Sequence, residues 1–215
     1  MATSDCKSAF TLFEALVVTV ISIFVLVLIL PSFAPRTNRA PRIKCVSNLK
    51  QVALGARLWA NDHGERFPWQ VSTSNRGTLE LIESADTWPH WYAMRVELES
   101  PKILTCPSDL QRQPSIRYFT GVAPKPTSYA LNLDSSLDGT NALLSLDRNV
   151  VRAGIPLKSG RHVITARKPL NWNTDIHRSV GNIAFCDGSV LQSTSAELQN
   201  AFRNSDVVTN RLLFP

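Results

Sequence analysis

The sequence predicts an α+β protein: a long N-terminal helix, first apolar and then amphipathic, carrying a small antiparallel β-sheet domain. Three observations carry that reading. Between Phe10 and Leu30 there are 21 residues with a single charge, Glu14. From Ile43 to Asp62 the apolar positions step by three and four. Near the C-terminus an Asp187-Gly188 pair sits between two apolar runs.

The apolar segment comes first. At about 1.5 Å per residue it spans roughly 32 Å, close to the ~30 Å hydrocarbon core of a bilayer. One membrane span is expected and no second is visible. Thr19 and Ser22 interrupt the run, but their hydroxyls can bond back to helix carbonyls. Pro31 and Pro35 close it. The run exceeds the 7–15 apolar residues of a secretory signal, and Pro31-Ser32-Phe33-Ala34-Pro35 is a poor cleavage site. Cys6 precedes the run rather than following it, which argues against a lipoprotein. Glu14 is the unusual residue, because a carboxylate in an apolar segment costs roughly 2.5–3.5 kcal/mol when unpaired. It either complements the helix N-terminus or waits for a cation from another subunit.

Ser8-Ala9-Phe10-Thr11-Leu12-Phe13-Glu14-Ala15-Leu16-Val17-Val18 resembles the processing site of type IV prepilins and type II secretion pseudopilins. The resemblance implies cleavage by a prepilin peptidase between Ala9 and Phe10 and N-methylation of Phe10. It also implies assembly through Glu14, which would pair with the amine of a neighbouring subunit. Ala9 stands where the family has Gly, and Phe13 where an aliphatic residue is usual. On this reading residues 1–9 are a leader and 10–35 a transmembrane and assembly helix. Residues 36–64 are an amphipathic spine helix and 65–215 a periplasmic β-rich domain. Arg36, Arg39, Arg42, Lys44, Lys50 and Arg57 follow the apolar segment and only Lys7 precedes it. The positive-inside rule alone would therefore leave the body in the cytoplasm; the leader implies the opposite.

In the spine, Val46, Leu49, Ala53, Ala56 and Ala60, flanked by Cys45, Val52 and Trp59, form one apolar stripe. Its alanines allow a sheet to approach closely, and Gly64 suits the left-handed residue past the helix end. Beyond Pro68 the chain carries scattered Pro, Ser, Thr and Asn with short apolar runs, which predicts short strands and loops. Thr78 to Ser84 reads as a brief helix. Trp88-Pro89-His90-Trp91-Tyr92 reads as core filling under a loop rather than as a sugar-stacking platform. Asn182 to Leu191 reads as a hairpin in which both Asp187 and Gly188 take positive φ. His177 is expected near the start of its first strand, as a structural buttress with Asp187.

A second resemblance runs along the body, through Cys45-Val46-Ser47-Asn48, Ala60-Asn61-Asp62 to Arg66-Phe67-Pro68, Cys106-Pro107-Ser108-Asp109, Ser128-Tyr129-Ala130-Leu131-Asn132, and His177 with Asp187-Gly188. It looks like the pseudopilin-like group with a His-x9-Asp-Gly signature, whose fold is a long helix carrying a small antiparallel sheet.

Three cysteines follow the leader, so one disulfide and one thiol are expected in an oxidising compartment. Cys45–Cys106 is the preferred pair, leaving Cys186 as a buried thiol within a strand. No metal is expected: no two cysteines lie two to four apart, and His63, His90, His162 and His177 lack ligand spacing. Asp109, Asp134, Asp138 and Asp187 lack the alternation of a calcium loop. No catalytic residue and no cofactor is expected either. The net charge of +6 is spread out rather than blocked, which disfavours nucleic acid. The expected partners are prepilin peptidase, other pseudopilins in a filament and the inner membrane. The alternative is an anchored protein that binds envelope polysaccharide or another envelope protein.

Overall fold

The computed structural model describes residues 11–29, 39–84, 86–112, 118–119, 121, 126–139, 141–165, 168–207 and 209–215. Residues 1–10, with the expected cleavage site at Ala9 and Phe10, lie outside them, as do Pro31, Pro35 and Arg36. The chain forms two compact units, Met1–Thr37 and Asn38–Pro215, so the spine and the β domain belong to one body.

The first unit contains α1, Leu12–Ile29, with a mean hydropathy of 2.9 and no buried residue. Thr19 Oγ1 donates to the Leu16 carbonyl at 2.8 Å and Ser22 Oγ to that of Val18 at 2.7 Å. Both hydroxyls are thus satisfied within the helix, as lipid requires. The helix begins with a capping box. Thr11 N–H and Oγ1 each donate to Glu14 Oε2 at 2.9 Å, and the Glu14 amide donates to Thr11 Oγ1 at 3.3 Å.

In the second unit α2, Arg39–Asn61, is the spine. Cys45, Leu49, Val52, Ala53, Ala56 and Ala60 are fully buried, so the three-four stripe faces inward. The helix stops where Glu65 N–H donates to the Ala60 carbonyl across Gly64 at φ +66, a conformation costly for side chains with a Cβ.

Among the described residues nine strands follow: β1 Tyr129–Asn132, β2 Leu143–Asp147, β3 Val150–Arg152, β4 Ile155–Pro156, β5 Gly160–Thr165, β6 Leu170–Trp172, β7 Gly181–Phe185, β8 Val190–Ser193 and β9 Thr209–Phe214. Six form an antiparallel sheet in the order β5-β9-β1-β2-β7-β8, and β4-β3-β6 form a second, smaller one. The spine covers one face of the large sheet. Its apolar stripe shares a core with Tyr129, Leu131, Leu144, Ala184 and Leu213. The opposite face is covered as well. Ala130, Leu143, Leu146, Ile183, Leu212 and Phe214 pack with Trp172 of the small sheet and with Leu198 and Phe202 of α5, Ser195–Arg203. The sheet is therefore the middle of three layers. Leu143 and Leu146 share a face despite their odd spacing because a bulge shifts the register between Leu143 and Ser145.

Two local expectations change. The segment from Thr78 closes only one 3₁₀ turn, Leu79–Leu81, since three residues cannot build an α-helical ladder. The Asp187-Gly188 turn is not a two-residue loop with two positive φ values. Gly188 alone has φ +91, its N–H donates to the Phe185 carbonyl, and Phe185 N–H donates to the Ser189 carbonyl. This is a three-residue loop, Cys186-Asp187-Gly188, with the glycine at the left-handed position of a bulge. Cys186 accordingly opens the loop rather than lying in the strand. The aromatic segment forms α3, Trp88–Ala93, with Trp88 and Trp91 buried, and a single turn, α4, Arg95–Leu98, follows it. Trp88 stacks on Phe119 at 5.5 Å and donates its Nε1–H to the Gly121 carbonyl, so these rings fill core.

Candidate functional site

Two features stand apart from ordinary packing. The first is α1, in which Glu14 is the only charged residue. Its capping bonds both end on Oε2, and among the described residues nothing bonds Oε1. The helix therefore satisfies half of the carboxylate and leaves the other half open to a donor.

The second is a buried polar cluster against the inner face of the spine. Cys45 is joined to Cys106 by a disulfide, with Cα atoms 5.0 Å apart and a sequence separation of 61. Asn48, one turn on from Cys45 and so on the same helix face, donates Nδ2–H to the Thr105 carbonyl at 3.0 Å. The Cys-x-x-Asn spacing thus clamps the Thr105-Cys106 segment twice. Asp109, three residues further on, is held through both carboxylate oxygens by Arg148 at 2.7 Å.

His177 lies in the turn before β7 and is buried, but its partners are not those expected. Its Nε2 is 3.4 Å from Cys106 Sγ, 3.2 Å from Asn182 Nδ2 and 3.4 Å from Asp147 Oδ2. Asp187 instead accepts from Ser189 N–H at 2.8 Å within its own turn. The nine-residue spacing places His177 beside the first strand of the hairpin, where Asn182 is the side chain within reach. Asp187 belongs to the exposed tip. Asp147, at the end of β2, accepts Asn182 N–H at 2.7 Å and Asn182 Nδ2–H at 2.8 Å.

Burial dominates the electrostatics of this cluster. It pushes the Asp147 carboxyl up to about 7, against the pull of the Asn182 hydrogen bonds. It pulls His177 down to about 4, assisted by the Arg42 cation. His177 is therefore uncharged near neutral pH while Asp147 is about half protonated, and their contact is not an ion pair, because the imidazole carries no charge. Because an amide nitrogen can only donate, the Asn182 contact makes Nε2 the acceptor and puts the ring hydrogen on Nδ1. A cleft of about 680 Å³ reaches the cluster, lined by Arg42, Pro107, Ile176, His177 and Arg178 among others.

The remaining predicted groups serve structure. The Cys186 thiol is buried and pushed up to about 12 by that burial. Asp134 is bonded to the Arg211 guanidinium at 2.9 Å. Asp147 and Asn182 had no motif to mark them. The available signal was a charged residue closing the apolar run Leu143-Leu144-Ser145-Leu146.

Comparison with protein-family models, with characterised proteins and with solved structures finds no match. The architecture itself is the available guide. An exposed apolar N-terminal helix followed by a mostly antiparallel sheet domain is an α+β layout compatible with the pilin-like one. Among the described residues, one helix is long and apolar enough to cross a membrane.

Proposed function

We propose that the chain is a pilin-like subunit of a type II secretion or type IV pilus-like machine, acting by assembly rather than by catalysis. Prepilin peptidase would cut between Ala9 and Phe10 and methylate Phe10. The helix α1 would then move from the inner membrane into a filament of related subunits, with the β domain on the periplasmic side.

The observation that carries this reading is α1 itself. All of its residues are exposed within the chain, so its apolar surface needs lipid or other helices. Its single carboxylate keeps one oxygen open and needs a cation once it is out of water. A bundle of identical helices meets both needs when the amine of one Phe10 faces Glu14 of the next. The buried positions of Trp88 and Trp91 remove the aromatic platform on which a sugar-binding reading would rest.

The test uses the full chain expressed with its prepilin peptidase. Intact mass and N-terminal sequencing should find a chain beginning at N-methylated Phe10. The Glu14→Ala variant should insert and be cleaved like the parent but be lost from sheared filaments. Unchanged incorporation of that variant, or a chain that retains residues 1–9, would overturn the reading.

A further inference from the structure

Three buried side chains from separate parts of the chain bring metal-type donor atoms within 4.8 Å of one another: Cys45 from the spine, Cys106 from the loop before β1, and His177 from the turn before β7. A fourth donor, Asp147 Oδ2 at the end of β2, lies 3.4 Å from His177 Nε2. In the disulfide form the two sulfurs are consumed by their bond. In the dithiol form they would be two soft ligands beside an imidazole and a carboxylate.

We propose that the reduced chain holds one zinc ion on Cys45 Sγ, Cys106 Sγ, His177 Nε2 and Asp147 Oδ2, and that formation of the Cys45–Cys106 disulfide expels it.

The donor set matches what zinc selects, namely thiolate and imidazole completed to four by a carboxylate. Two of the six spacings match too. With Zn–S near 2.3 Å and Zn–N or Zn–O near 2.0–2.2 Å, a tetrahedron has edges of about 3.3–3.8 Å. The Cys106–His177 and His177–Asp147 separations are both 3.4 Å. The sulfur–sulfur edge must open, which a dithiol no longer constrains, and the Asp147 side chain must swing toward the sulfurs, because it does not lie within 4.8 Å of all three other donors in the disulfide form.

The convergence is also of the right kind. In a nucleophile–base–orienter relay the nucleophile and the orienting acid sit on opposite ring nitrogens. Here Cys106, Asn182 and Asp147 all meet the same nitrogen, Nε2, and that nitrogen is an acceptor with its lone pair turned into the cluster. Asp147 keeps its other oxygen, Oδ1, buried and without a partner, so the carboxylate is under-used in the disulfide form. Two thiolates and a carboxylate around zinc leave one net negative charge. Arg42, whose charge is felt at both Asp147 and His177, offsets it. The cleft between Arg42 and Arg178 exposes the edge of His177 and gives the ion an access route.

The chemistry balances as follows. A dithiol reductant passes two electrons and two protons to the disulfide and is itself oxidised to a disulfide. Zinc then binds both sulfurs and releases the two thiol protons to water. Reoxidation by a disulfide donor reverses both steps and frees the ion. The same two segments, spine and Cys106 loop, are therefore joined in either redox state, by sulfur or by metal.

The experiment uses the full chain in detergent, reduced with a phosphine that does not bind metals and then titrated with cobalt(II) and zinc(II) alone. One equivalent of cobalt should give thiolate-to-metal charge-transfer absorption and the visible bands of a tetrahedral site, both displaced by zinc. His177→Ala should weaken zinc binding at least about tenfold, and Cys106→Ser should abolish the charge-transfer band. Circular dichroism, and for His177→Ala formation of the disulfide on oxidation, would show that the variants still fold. The proposal is overturned if the reduced chain takes up no cobalt, if His177→Ala binds as tightly as the parent, or if the oxidised chain binds equally well.

Discussion

Arg148 grips both carboxylate oxygens of Asp109 at 2.7 Å, with the Asp109 side chain only 1% exposed and that of Arg148 14% exposed. This pair fastens the loop that carries Cys106 to the turn between β2 and β3. The Arg148 backbone N–H adds a bond to the Ser128 carbonyl, at the start of β1. The loop that positions the disulfide is thus held from three sides: the spine, the sheet and this ion pair.

Removing the cation should cost more than removing the acid. In Arg148→Ala the buried carboxylate loses its bidentate counter-charge; breaking a buried pair typically costs about 3–5 kcal/mol, moderated here by the Gln111 N–H that Asp109 Oδ1 still accepts. In Asp109→Asn the partly exposed guanidinium retains water, and the loss should be smaller. Urea denaturation of both variants checks the order, and equal losses would contradict it.

The disulfide should contribute about 4 kcal/mol, since it closes a loop of 61 residues of sequence separation in the unfolded chain. The Cys45→Ala/Cys106→Ala double variant, compared with the oxidised parent in chemical denaturation, measures this directly. In the double variant the Asn48–Thr105 bond should remain, keeping the loop near the spine in the folded state.

Stability should fall as the pH drops from about 6.5 to 5. In the folded chain burial keeps His90 and His177 neutral down to about 4, whereas unfolded histidine takes up a proton near 6.5. Each lowered histidine therefore contributes stability that is lost in this window. Asp147 acts in the opposite sense: it holds its proton up to about 7 when folded but releases it near 3.9 when unfolded. Its contribution grows as the pH falls. The net uptake on unfolding should approach one proton near pH 5. In Asp147→Asn, which can still accept the Asn182 hydrogen bonds, it should approach two. Unfolding free energy measured at several pH values gives these slopes; an unchanged slope in the variant would refute the assignment.

Cys186 should resist alkylation. Its thiol is 1% exposed, and burial pushes it up to about 12, so little thiolate is present at any ordinary pH. Iodoacetamide should label Cys186 of the oxidised protein only after denaturant is added. Labelling under native conditions would mean that the hairpin loop opens.

Much of the helical half of this fold is legible in the sequence, because a helix writes its environment into its own periodicity. The apolar run from Leu12 to Ile29 has no polar face, and α1 buries none of its residues in the chain. The three-four stripe from Cys45 to Ala60 has one face, and that face is buried. The strands are less legible. β1, β2 and β7 are buried on both sides, so the alternation that reveals a half-exposed strand is missing. Nothing local announces the layer formed by α5 and the small sheet on the far face.

The site divides along the same line. Glu14 is conspicuous in sequence because a charge in an apolar run is costly wherever the chain goes, and Cys45, Cys106 and His177 are conspicuous as residue types. Their grouping is a tertiary fact. His177 meets Cys106 across 71 residues and Asn182 meets Asp147 across 35, distances over which spacing rules say nothing. Periodicity and composition, which are local, determined the helices and the odd cysteine, and the string from Ser8 to Val18 carries the resemblance to pilin processing sites. The closing of β2, β7 and the spine around one volume decided which acid and which amide stand beside the histidine, and that burial set their protonation.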